Sequence, residues 1–292
     1  MTIYAIHHVT HFTYVHEMSF ARCNLRLEPI AWPGQRVISH EILVSPTGQL
    51  TKAIIHAGLV NLTRLRLEHP TVTLDITSVA RIAVDRDVPP IADDDPSIAA
   101  VAAAARASFE IGDAAPANFL YPSPLIAPDA DIATWCGETL TPDRPVVEAA
   151  FALAQRIMRE FSFDPDATRT ETRPAEAFAK RAGVCQDFAQ IMICGLRAAG
   201  LPAAYVSGYI RTIPPPGGER LQGADAMHGW VLLWCGAARG WIGFDPTNGI
   251  FMAQDHVIVA IGRDYRDIAP VDGIFNGYGT REMNVAVDMV AV

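Results

Sequence analysis

The sequence predicts an α+β protein: an N-terminal antiparallel β-domain, followed by a core of helices packed on an antiparallel sheet. Residues 1–84 alternate polar and apolar side chains and contain no helical pattern. Helical periodicity then dominates residues 97–200, and alternation returns after residue 203. Because helices precede an antiparallel sheet in this second part of the chain, it is expected to fold as an α+β core.

The first 84 residues are predicted to form the β-domain. Their strand-like segments are rich in Val, Ile, Thr and Tyr, the residues that pleated sheets favour. These segments are YAIHHVTHFTYV, CNLRLEP, RVISHEILVSP, LVNLTRLRLEH and TVTLDITSVARIAV. AWPGQ and SPTGQ carry Pro and Gly between strands, where the chain must reverse.

A connector of helix and loop is predicted over residues 85–140. RDVPPIADDDPS breaks the alternation with prolines and acidic residues. An Ala-rich helix then follows Ser97, a residue type that caps helix N-termini. The Pro-rich segment APANFLYPSPLIAPDADI completes the connector.

The core is predicted to span residues 141–292. Three helical segments come first: PVVEAAFALAQRIMREF, PAEAFAKR and CQDFAQIMICGLRAAGLP. Gly200 and Pro202 act as stop signals for the last of these helices. The strand-like segments that follow are AAYVSGYIR, HGWVLLW, WIGFDP, HVIVAIGRDY and MNVAVDMVAV.

Composition and charge exclude several classes of protein. A formal net charge of −9 and a pI near 5.4 leave no basic surplus, so neither nucleic acid nor a membrane is expected as a partner. No apolar run is long enough to span a bilayer, and the N-terminus lacks the pattern of a signal peptide. The five cysteines are scattered without a C-x-x-C pair, as is typical of free thiols in a reducing compartment. We therefore expect a soluble cytoplasmic protein; nothing in the sequence determines its oligomeric state.

Cys185 in RAGVCQDFA lies where a loop becomes a helix. A helix N-terminus favours the thiolate, because free backbone N–H groups and the helix dipole stabilise negative charge. The charge of Asp187 would oppose this effect unless its carboxylate turns away to cap the helix. A histidine is therefore expected to supply most of the activation. The alternative for any single free cysteine is a buried core residue, the interpretation that we give to Cys194 and Cys235.

His228 and Asp245 are predicted to meet across a hairpin. HGWVLLW and WIGFD flank the short turn CGAARG. A loop centred near Gly236 and Ala237 places His228 opposite Asp245, and a slide of one residue leaves the two side chains diagonal on the same face. Local geometry thus proposes Cys185 as nucleophile, His228 as general base and Asp245 as the group that orients the imidazole.

Several motifs together resemble the bacterial transglutaminase-like superfamily, whose core has a papain-like fold. They are RAGVCQDFAQ, YVSGYI, MHGWVLLW, GWIGFDPTNG and DHVIVAIGRDYRDIAPVDGIF, with LRLEPIAWPGQRV and NFLYPSPLI similar to the N-terminal region of bacterial members. The resemblance implies the same three catalytic residues. Two departures are Gly229, where the family usually has Ala in His-Ala-Trp, and AGLVN, where it has an FGN tripeptide.

The predicted activity is hydrolysis of amide bonds in a protein or peptide substrate through a thioester, as a cysteine peptidase or amidase. The first alternative is a true transglutaminase, in which an amine replaces water as the acceptor. A non-catalytic binding protein that keeps the fold is a lesser alternative. A metal site ranks lowest, since no second ligand falls at a local spacing near Cys185, and no cofactor is expected. The segment TIPPPGGERLQGADAMH is expected either to border the cleft or to be a plain connecting loop.

Overall fold

The computed structural model describes residues 1–53, 59–212, 226–277 and 281–292. The strands of the first part of the chain are β1 (Thr2–Met18), β2 (Phe20–Leu25), β3 (Gln35–Ser45), β4 (Gln49–Ala53), β5 (Leu62–Leu67) and β6 (Thr71–Val84). The helices are α1 (Ile98–Arg106), α2 (Ala130–Gly137), α3 (Val146–Glu160), α4 (Pro174–Lys180), α5 (Cys185–Ala198) and α6 (Tyr265–Ile268). A short 3₁₀ helix spans Pro116–Phe119.

The remaining strands follow α3. They are β7 (Ser162–Phe163), β8 (Ala182–Gly183), β9 (Ala203–Ile210), β10 (Ala226–Trp234), β11 (Trp241–Asp245), β12 (Ile250–Phe251), β13 (His256–Gly262), β14 (Val271–Asn276) and β15 (Arg281–Ala291). The predicted α+β class is confirmed by this arrangement of antiparallel sheets and helices.

Two four-stranded sheets form the β-rich part of the molecule. Their strand orders are β15-β1-β6-β3 and β14-β2-β5-β4. Alternate residues of these strands face a shared core that contains Phe12, Leu25, Leu65 and Leu74. The described part of residues 1–84 forms strands without a helix, as the alternation of the sequence predicts.

The last two strands lie with the N-terminal sheets, although the sequence assigns residues 141–292 to the core. β15 pairs antiparallel with β1 from Tyr4–Ala291 to Tyr14–Arg281, and β14 pairs with β2. Alternation in MNVAVDMVAV predicts a half-buried strand, but it holds no information on which edge the strand joins. The predicted boundaries after residues 84 and 140 remain predictions.

The core is a five-stranded sheet in the order β12-β11-β10-β9-β13, with helices against it. α5 packs on β9 and β10, and its residues 186–196 are all buried. The shared apolar cluster includes Leu153, Ile191 and Val231. Because a buried helix is fixed along its whole length by packing, the position of its N-terminus over β9 and β10 is fixed as well.

Candidate active site

Cys185 is the first residue of α5, directly after β8 and the cap residue Val184. It is half-buried, whereas the other four cysteines are buried. Cys194 and Cys235 lie in the apolar core, as predicted, and burial raises the pKa of both thiols. Cys185 is thus the thiol that is placed at a helix N-terminus with access to solvent.

The Asp187 carboxylate points toward the start of α5, as predicted for a residue that caps this helix. Its Oδ2 accepts hydrogen bonds from the Val184 backbone N–H at 2.9 Å and from the Thr168 hydroxyl at 2.6 Å. This bond is the N3 half of a capping box: the carboxylate satisfies the backbone donor at the cap, whereas Val184 has no polar side chain to complete the motif. Burial raises the pKa of Asp187, and these two hydrogen bonds partly offset the effect.

His228 and Asp245 meet diagonally across the β10–β11 hairpin. The register pairs Val231 with Phe244 and Leu233 with Ile242. It differs by one residue of slide from a loop centred at Gly236 and Ala237, so Asp245 lies diagonal to His228 on the same face. His228 Nε2 donates to Asp245 Oδ2 at 2.8 Å.

Asp245 is fully buried and accepts hydrogen bonds from several donors besides His228. Its Oδ1 accepts from the backbone N–H groups of Thr247 and Asn248 at 3.0 and 3.2 Å. Its Oδ2 accepts from Asn248 Nδ2 at 2.6 Å and lies 3.4 Å from His256 Nε2. A carboxylate held from so many sides cannot rotate freely, which fixes the direction of its bond to the imidazole.

The electrostatics of this group favour an imidazolium at His228. Burial alone disfavours the charged ring, but the hydrogen bond and charge of Asp245, followed by those of Cys185, raise the pKa of His228 to about 10. Burial would also raise the pKa of Asp245, yet the charge of His228 and the hydrogen bonds with His228 and His256 hold it well below its usual range. Burial lowers the pKa of His256.

A pocket of about 360 Å³ opens beside Cys185 and His228. One wall comes from the core, and the other comes from β1 and β15, through His8, Thr10, Met283 and Val285. The sequence did not indicate these four residues, because strand alternation does not show which strands face the site. The β-domain sheet therefore forms part of the pocket.

His8 is held rigidly in that wall. Its Nδ1 lies 3.0 Å from the Tyr209 hydroxyl oxygen and its Nε2 lies 3.0 Å from the Thr10 hydroxyl oxygen. Burial, and to a smaller extent the charge of His7, lowers the pKa of His8 to about 4. The imidazole is thus neutral at neutral pH.

His256 is a further site residue that the sequence does not indicate. It begins the strand-like segment HVIVAIGRDY, and the order of the sheet brings β13 beside β9. A longer-range pairing of this kind leaves no local signal. Most of the segment TIPPPGGERLQGADAMH, residues 213–225, lies outside the described residues.

Within the described ranges, no group of three His, Cys, Asp or Glu side chains is placed to hold a metal ion. None of the helices described is both long and apolar enough to cross a membrane.

The fold and this site define a papain-like α+β protein with a cysteine at the start of a buried helix. The family model of the transglutaminase-like superfamily matches residues 133–246, which contain Cys185, His228 and Asp245. A second model, the bacterial transglutaminase-like N-terminal region, matches residues 4–83. The chain belongs to the transglutaminase-like superfamily.

Relatives and one solved structure resemble the chain over most of its length. An uncharacterized protein of Mycobacterium tuberculosis is 33% identical over 292 residues, covering 98% of this chain and 92% of that protein. A candidate cysteine protease of Cytophaga hutchinsonii, solved by crystallography, superposes with a TM-score of 0.79 at 21% identity, covering 100% of this chain and 91% of that one. At this identity the likeness is one of fold.

A further relative is similar over a shorter stretch. A protein-glutamine gamma-glutamyltransferase of Pseudomonas aeruginosa is 36% identical over 100 residues, which are 33% of this chain and 15% of that protein.

Proposed function

We propose that the protein is a thiol-dependent amide-bond hydrolase, a cysteine peptidase or amidase that acts on a protein or peptide. The observation that carries this proposal is the placement of Cys185 at a helix N-terminus beside the buried His228–Asp245 pair. A thiolate and an imidazolium side by side are the resting state that thioester chemistry needs.

In the proposed reaction, the Cys185 thiolate attacks the carbonyl carbon of an amide. The N–H groups of Cys185 and Gln186 begin α5, ahead of the Asp187 and Phe188 N–H groups that donate to the Val184 carbonyl, and they face the developing oxyanion. His228 gives its proton to the leaving amine as the C–N bond breaks, and a thioester remains on Cys185. His228 then takes a proton from water, whose oxygen attacks the thioester, and release of the acid returns the thiolate. Asp245 keeps the imidazole oriented throughout.

Transfer to an amine is the second candidate. It is supported by the similarity of 100 residues to the Pseudomonas aeruginosa protein-glutamine gamma-glutamyltransferase. The two activities share the acylation half of the reaction and differ only in whether water or a primary amine attacks the thioester.

The experiment that tests the proposal incubates the protein with a glutamine-rich protein and a fluorescent primary amine. We expect peptide cleavage or ammonia release without incorporation of the amine, and loss of that activity in Cys185→Ala but not in Cys194→Ala. Amine incorporation that depends on Cys185 would instead establish the transferase. Equal iodoacetamide reactivity of Cys185 and the buried Cys194 would contradict an activated thiol in either form.

A further inference from the structure

Tyr205 presents a phenol hydroxyl within the Cys185 pocket. Its side chain lies on β9 and is 2% exposed. A Cβ atom built on Gly229 would lie 2.3 Å from the Tyr205 hydroxyl oxygen. The hydroxyl therefore lies against the backbone of the residue that follows His228, in the pocket that Cys185 and His228 line.

No hydrogen bond of the Tyr205 hydroxyl is found among the described residues, and the ring packs edge-on against Tyr265 with a distance of 6.1 Å between ring centroids. Buried tyrosine hydroxyls usually have a partner, because an unsatisfied buried donor costs free energy. The hydroxyls of Tyr4 and Tyr209 follow this rule, with partners at 2.8 and 3.0 Å. The Tyr205 side chain instead lines the pocket beside Cys185, where its hydroxyl can gain a partner during the reaction.

The charges around Tyr205 are consistent with such a role. Burial raises the pKa of Tyr205 well above its ordinary value, and the negative charge of Cys185 raises it further. The phenol thus remains protonated, and remains a donor, wherever the thiolate exists.

We propose that the Tyr205 hydroxyl donates a hydrogen bond to the Cys185 thiolate and so acts as a further catalytic residue. This inference rests on the proposed function, in which Cys185 reacts as a thiolate. Hydrogen bonds to charged groups are stronger than those between neutral groups, so the bond favours the thiolate over the thiol. Glycine at 229 is then a requirement of the site, because alanine would take the space of the hydroxyl.

The test compares the iodoacetamide reaction of Cys185 across pH in the wild type and in Tyr205→Phe, with thiolate ultraviolet absorbance as a second readout. In Tyr205→Phe we expect the midpoint of both profiles to rise by about one pH unit, since a charge-assisted hydrogen bond is lost. At pH values below the midpoint, Cys185 in Tyr205→Phe should react with iodoacetamide about tenfold more slowly than in the wild type. At high pH the two rates should be equal. Tyr265→Phe, which removes the other tyrosine hydroxyl of the pocket, should leave the midpoint in place.

Any of three results would overturn the proposal. The profiles of Tyr205→Phe and the wild type could superimpose, the reaction rate of Tyr205→Phe could fall by the same factor at every pH, or the midpoint of Tyr265→Phe could rise as much as that of Tyr205→Phe. Gly229→Ala provides a second route if Tyr205→Phe does not fold. It should displace the hydroxyl and raise the midpoint in the same way, and an unchanged midpoint would contradict the proposal. A wild-type Cys185 that reacts no faster than Cys194 would count against the proposed function alone, because the absorbance midpoints still report the Tyr205 hydrogen bond.

Discussion

At the scale of single residues, the contact between His228 and Asp245 depends on the hairpin formed by β10 and β11. The turn CGAARG fixes a hairpin, and because side chains alternate with period two, a slide of one residue left His228 and Asp245 on the same face. His8 and His256 could not be found in this way, since each reaches the site through strand pairing over a long sequence separation. The positions of His228 and Asp245 follow from one turn between adjacent strands, whereas the positions of His8 and His256 follow from strand pairing across the whole fold.

Replacing Asp245 by Asn should separate charge from shape in this pair. Asn keeps an oxygen that accepts hydrogen bonds but lacks the negative charge that raises the pKa of His228 to about 10. The imidazolium exists below that pKa and is lost above it, so the alkaline limb of the activity profile should move to lower pH in Asp245→Asn. We also expect kcat/KM at neutral pH to fall by about 100-fold or more.

The measurement is kcat/KM against pH for the wild type, Asp245→Asn and His256→Gln. His256→Gln is the matched control, because its contact with the same carboxylate is the longer one at 3.4 Å, and it should move the limb less. An alkaline limb that stays in place in Asp245→Asn would show that the carboxylate does not set the charge of His228.

At the scale of secondary structure, the start of α5 is the element that positions the candidate nucleophile. Its sequence carries both the apolar periodicity and the stop signals, and Gly200 adopts the positive φ of 78° expected after a helix end. The capping role of Asp187 could be predicted from the sequence, because its negative charge would otherwise oppose a thiolate at Cys185. Its hydrogen bond from the Thr168 hydroxyl could not be predicted, because Thr168 lies 19 residues upstream.

Asp187→Ala should loosen this helix start. It removes both the cap bond to Val184 and the bond from Thr168, and loss of a cap costs about 1–2 kcal/mol of the free energy of unfolding. Asp187→Asn, whose amide oxygen can still accept from the backbone N–H, should lose less. Urea unfolding followed by circular dichroism measures both, and equal losses in the two variants would show that the charge matters more than the cap.

At the scale of the whole molecule, the return of β14 and β15 to the N-terminal sheets joins the two ends of the chain. Composition and alternation predict how many strands exist, but the order of strands in a sheet is decided by packing across the molecule. The consequence for function is that one wall of the Cys185 pocket comes from β1 and β15.

His8, at this junction, should make the stability of the protein sensitive to acid. Its pKa of about 4 lies below the ordinary 6.5, so between these values the unfolded chain binds a proton that the folded one does not. The free energy of unfolding should therefore fall as the pH drops from 6.5 to 4, by at most about 3 kcal/mol from this group. His8→Gln should flatten that slope, and His7→Gln, which changes the exposed neighbour, should largely retain it. Identical slopes in His8→Gln and the wild type, from chemical denaturation across this range, would remove His8 as the cause.

Val285 tests whether the wall from β15 contacts the substrate. It lines the pocket, whereas Val290 lies on the other face of the same strand, and the two are similarly exposed at 45% and 43%. A charge on the wall would oppose entry of an apolar group, because the charge loses solvation when the pocket fills. Val285→Glu should therefore slow inactivation by a chloromethyl ketone with an apolar peptide portion by about tenfold or more, while the reaction with the small iodoacetamide stays near the wild-type rate. Val290→Glu should change neither rate. If the two variants react alike with the peptide reagent, β15 lies outside the path of the substrate, and the β-domain supports the core without contributing to recognition.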